Sequence, residues 1–167
     1  MQNLVRKIDT FNNSIGHAAA WCAIALVVVQ FVVVVLRYVF GIGLIMMQEG
    51  VVYLHATLFM MGAAHTLCQD GHVRVDIFYR EATPQTKALV DLFGSLVFLL
   101  PVCCVIFWFA WPYVSQSWSV FEGSRETSGI QAVFLLKTLI LVFAVLMALQ
   151  GISMMLRSVM FLRGREA

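Results

Sequence analysis

The sequence predicts an all-α integral membrane protein: four transmembrane helices, an amphipathic N-terminal helix at the membrane interface, and both termini in the cytoplasm. Three observations carry this. Apolar residues make up 61% of the 167 residues and charged residues 12%, with a mean hydropathy of +0.88, whereas globular chains run at roughly 45–50% and about 25%. The apolar residues gather into four runs of about 20, the length that crosses about 30 Å of hydrocarbon. Between the second and third runs lies Gln69 to Tyr79, Gln-Asp-Gly-His-Val-Arg-Val-Asp-Ile-Phe-Tyr, too rich in charge to lie in lipid. The runs leave no stretch long enough for a soluble catalytic module, so 1–167 reads as one membrane domain. The net charge of +2, with cations scattered near run ends, fits contact with membrane lipid and argues against a nucleic-acid partner.

In residues 1–16, Leu4, Ile8, Phe11 and Ile15 recur at steps of three and four, opposite Arg6, Lys7, Asp9, Asn12 and Asn13. This pattern predicts a short helix lying on the membrane surface. The first span, 18–39, is too long for the 7–15-residue core of a secretory signal and ends in Leu36-Arg37-Tyr38, so it is expected to remain as an anchor. Its one strongly polar interior residue, Gln30, is expected to hydrogen-bond to another helix. Gly41 and Gly43 break the helix, and the second span, 49–68, returns antiparallel. Arg37 and Glu49 bracket that turn and are expected to pair, with ion or proton coupling at Glu49 as the functional alternative. His55 and His65 lie about 15 Å apart along one helix, too far to share a metal ion. Gly62-Ala63-Ala64 offers a packing face.

After the central loop, where Gly71 supplies the turn out of the helix, Thr83 is expected to cap a third span, 84–111, with Pro84 at its first position. Asp91 is expected to reach the interface or Lys87, and Pro101 to kink the span. Trp108, Trp111, Tyr113 and Trp118 form an interfacial aromatic belt. A polar connection with Glu122, Arg125 and Glu126 leads to the fourth span, 130–156. There Lys137 is expected to snorkel or to meet an acid on a partner, and Ala144 and Ala148 make a small-xxx-small pair. Cys22, Cys68, Cys103 and Cys104 lack metal-site spacing and read as buried reduced thiols. Arg6, Lys7, Arg74, Arg80, Lys87, Arg157, Arg163 and Arg165 fall on one side of the membrane, against Arg37, Arg125 and Lys137 on the other. The positive-inside rule therefore places both ends and the central loop in the cytoplasm.

Several stretches, in order, resemble the DctQ-like small permease subunits of tripartite ATP-independent periplasmic (TRAP) transporters. They are Arg37-Tyr38-Val39-Phe40-Gly41, Glu49, and the central Gly71-His72-Val73-Arg74-Val75-Asp76 continuing to Tyr79. Glu122 to Gly129, Lys137 and Leu149-Gln150-Gly151 look like a subgroup labelled for mannitol or chloroaromatic compounds. The resemblance implies two partners: a large permease subunit carrying the substrate and sodium sites, and a periplasmic solute-binding protein that delivers an organic acid. It implies a bracing role in the bacterial inner membrane, with no catalytic residue, metal or cofactor on this chain and sodium bound by the large subunit. Arg37, Glu49, Gly71, His72, Arg74, Asp76 and Lys137 are then the candidate subunit-contact or structural polar residues. Val73, Val75 and Ile77 alternate with His72, Arg74 and Asp76, so the loop reads as a contact surface.

Two other readings remain open. His17, His55, His65 and His72 include possible axial ligands for a four-helix haem b protein. Alternatively, Glu49 could serve as the coupling carboxylate of a self-sufficient small exporter.

Overall fold

The computed structural model describes residues 1–72, 79 and 81–164, so Arg74 and Asp76 of the candidate loop lie outside the described residues. It contains α1 (Gln2–Val39), α2 (Ile45–Cys68), α3 (Pro84–Phe93), a π-helical stretch Gly94–Leu99, α4 (Leu100–Ser119) and α5 (Val133–Leu162), with no strand among the described residues. α3, the π stretch and α4 run on as one 36-residue span, giving four helices long and apolar enough to cross a membrane. α1 and α2 form an antiparallel hairpin. α5 lies at the centre, touching α1, α2, α3, the π stretch and α4, and among the described residues the third span makes its main packing on α5. The buried residues concentrate accordingly on α5, among them Ala144, Leu146, Gln150, Gly151, Ser153 and Met160.

Local chemistry accounts for the helix ends. Thr83 Oγ1 accepts from the Thr86 N–H at 3.3 Å, and Pro84 opens α3 where its missing donor is harmless. Pro101 cannot donate within the third span, and the helix widens just before it, with the Leu100 N–H reaching back five residues to Ser95 O. At the end of α2 the left-handed residue is Asp70 (φ 54°), not Gly71. The Gly71 N–H donates to Thr66 O at 2.8 Å and the Asp70 N–H to Leu67 O at 3.2 Å, the paired bonds of a Schellman closure.

The N-terminal segment corrects the expectation of a separate surface helix. Residues 2–39 are one continuous helix of 38 residues, about 57 Å long at 1.5 Å per residue. Part of its polar side faces inward: Asn12 is buried and Asp9 and Asn13 half-buried, while Arg6, Lys7, Leu4 and Phe11 are exposed. The close approach expected at Gly62 lies elsewhere, since Gly62 has open space around it. Ala64 is fully buried instead, and a Cβ on Gly16 would sit 2.3 Å from His65 Cβ. Of the four free thiols, Cys103 is buried and its neighbour Cys104 is exposed, as adjacent helical positions require.

Candidate functional site

The polar side chains converge at two places, one at each end of the helix assembly. At the end where the chain begins, α1 is held on α5. Asn12 Nδ2 donates to Gln150 Oε1 at 2.8 Å, and Gln150 Nε2 donates to Asp9 Oδ1 at 3.3 Å. Asp9 Oδ1 also accepts from Ser153 Oγ at 2.7 Å, and Asp9 Oδ2 pairs with Arg157. Gln150 and Ser153 are 0% exposed and Asn12 1%. A buried amide without a partner is costly, and the axial offset that brings Asn12 level with Gln150 pairs these two amides, leaving Asn12 Oδ1 as a buried acceptor with no partner among the described residues.

The same stretch of α1 also grips α2. Asn13 Oδ1 accepts from His65 Nδ1 at 2.8 Å and from Gln69 Nε2 at 3.3 Å. His17 Nδ1 donates to Asn13 O at 2.8 Å, and its ring lies 5.2 Å from that of His65, tilted by 57°. On the outer side of the third span, Tyr79 Oη donates to Asp91 Oδ2 at 2.9 Å and Lys87 Nζ lies 5.3 Å over the Tyr79 ring.

At the opposite end, Glu49 in the first turns of α2 pins the connection between α4 and α5. It accepts from Ser124 Oγ and, at 2.6 Å, from the Ile130 N–H. Gly129 is required there because a Cβ would meet Ser124 Oγ at 2.2 Å and Glu49 Oε1 at 2.7 Å. Lys137 pairs with Glu122 and lies 4.0 Å over the Tyr113 ring. The ammonium beside it holds the Glu122 carboxyl below its usual range. Phe121 adopts φ 45°, a conformation a bulky residue rarely takes, and its ring packs on Phe134 and Trp118 at 5.7 and 6.5 Å.

These positions correct several expectations. Glu49 is engaged by Ser124 and Ile130, while Arg37 is exposed at the end of α1 and the two do not pair. Lys137 meets an acid of this chain, so no partner is needed to neutralise it. Gln30 is exposed on α1 and has no hydrogen-bond partner among the described residues. Gly71 and His72 are exposed just past α2. Asp9, Asn12, Asn13, Gln150, Ser153, Arg157, Ser124 and Glu122 were absent from the sequence-derived set. The signal for several of them was available, since amides and carboxylates inside or beside apolar runs need partners.

Both clusters are built to hold helices. Among the described residues, no group of three His, Cys, Asp or Glu is placed to hold a metal ion. The geometry thus defines a multi-pass membrane protein whose hydrogen bonds fasten it at both ends. The chain belongs to the DctQ family: residues 26–160 match the family described as tripartite ATP-independent periplasmic transporters, DctQ component. It is therefore a small membrane component of a TRAP transporter, a family of transporter components and not of enzymes. Comparison with curated proteins and with solved structures returned no match.

Proposed function

We propose that this chain braces a large TRAP permease laterally in the bacterial inner membrane. The large subunit carries the substrate and sodium sites, and a periplasmic binding protein delivers an organic acid to the assembly. Both termini lie in the cytoplasm. The observation that supports this most directly is where burial stops. Only 6% of the most apolar stretch of α1 and of α2 is buried, and 28% of that of α5. The polar clusters are at the two ends, where they fix helix positions, and a transport path needs them at the midplane. The haem reading is disfavoured by His17 and His65, whose rings touch through a shared Asn13 with no slot between them.

Co-expression of the affinity-tagged chain with the large permease, followed by detergent purification, tests the proposal. The two are expected to elute together in fixed ratio. Elution of this chain alone, with the permease left in the flow-through, would contradict it.

A further inference from the structure

Two exposed polar side chains lie well inside helices apolar enough to span a membrane. Gln30 is nine residues before the end of α1 at Val39, about 14 Å along the helix, and His55 is ten residues after the start of α2 at Ile45, about 15 Å. α1 and α2 are antiparallel with Gly16 against His65, so Gln30 and His55 lie within about 6 Å of each other in depth, roughly one helical turn. Both residues are exposed, and neither has a hydrogen-bond partner among the described residues. An amide and an imidazole facing hydrocarbon at that depth are unfavourable unless another helix satisfies them.

The third span presents a different surface. Its outward residues at membrane depth, including Leu96, Phe98, Val102, Val105 and Phe109, are apolar and suit lipid without any partner. Unpartnered polar groups within about one turn of each other therefore mark the α1–α2 side of the molecule, and the third span lacks them at membrane depth.

We propose that the α1–α2 hairpin, at the level of Gln30 and His55, is the face that receives the large permease, and that the third span faces lipid. The inference rests on the bracing function proposed above and names its surface. The occupant is a transmembrane helix of the large subunit with a hydrogen-bonding side chain or a free backbone carbonyl at its midpoint. Val27 and Val34 flank Gln30 by about one turn on each side, and Val52 and Phe59 flank His55 in the same way, all of them exposed. Their apolar surface would close around the polar contacts and exclude lipid.

A photo-activated cross-linking residue placed at Val27, Phe59, Phe98 or Phe109 in separate variants, each co-expressed with the large permease and illuminated in intact membranes, tests this. Positions 27 and 59 are expected to give a product of the combined mass of the two subunits, and positions 98 and 109 none. In parallel, the Gln30→Leu/His55→Leu double variant should retain at least several-fold less permease in detergent, with its own abundance unchanged. Cross-links from 98 or 109 in place of 27 and 59, equal yields from both faces, or a product of two copies of this chain would each overturn the assignment while leaving the bracing function intact. Failure of the unsubstituted chain to retain any permease would instead remove the bracing function, and this assignment with it.

Discussion

Gln150 illustrates how single residues set this structure. Its amide is fully buried, donates to Asp9 and accepts from Asn12, and so stands between the two helices it joins. Replacing it by Leu leaves the Asn12 amide without its acceptor and removes one donor from Asp9. A buried polar group left unsatisfied costs about 1–3 kcal/mol, whereas replacing both members of a pair by apolar groups can be nearly neutral. The Gln150→Leu variant is therefore expected to unfold at a lower temperature in detergent, and Asn12→Leu/Gln150→Leu to regain part of the loss. A double variant as destabilised as the sum of the two single changes, or more so, would show that the contact is not coupled in this way.

At the scale of elements, the four spans, the Thr83-Pro84 start and the disturbance before Pro101 were legible in the sequence because each depends on nearby residues. The orientation of the first sixteen residues was not. A two-sided helix declares that its faces differ, but not which one is inward. In water the apolar side would be buried, whereas beside a bilayer Asp9, Asn12 and Asn13 turn toward other polar groups and leave Leu4 and Phe11 outside. The partners of Glu49 were equally hidden, because Ser124 and Ile130 lie 75 and 81 residues away and Arg37 is near in sequence.

The Glu49 contacts hold the connection between α4 and α5 against the start of α2. Glu49→Ala should free that connection, so limited trypsin digestion of the purified protein is expected to cut after Arg125 several-fold faster than in the unsubstituted chain. Unchanged cleavage would mean that Lys137 and Glu122 alone hold the segment.

For the whole molecule, the two ends are fastened within the chain and the lateral surface is not. Three helices, α1, α2 and α5, share a core, while among the described residues the third span leans mainly on α5. Such an assembly is tied at its ends by side-chain hydrogen bonds and leaves most of its lateral apolar surface exposed, which suits a support for a larger neighbour. The proposed topology, with both ends and the central loop in the cytoplasm, follows the distribution of cations. In a variant lacking native thiols, a cysteine at Gln85 should resist a membrane-impermeant reagent applied to whole cells and one at Ser124 should react. The reverse labelling would invert the topology.

The bracing account depends most on where transport happens, and reconstitution measures that directly. Proteoliposomes containing this chain alone, the large permease alone, or both are supplied with the binding protein, an organic acid and a sodium gradient, and uptake is followed. The account predicts sodium-dependent uptake with both subunits, little with the permease alone, and none with this chain alone. Uptake by this chain without the permease would contradict it.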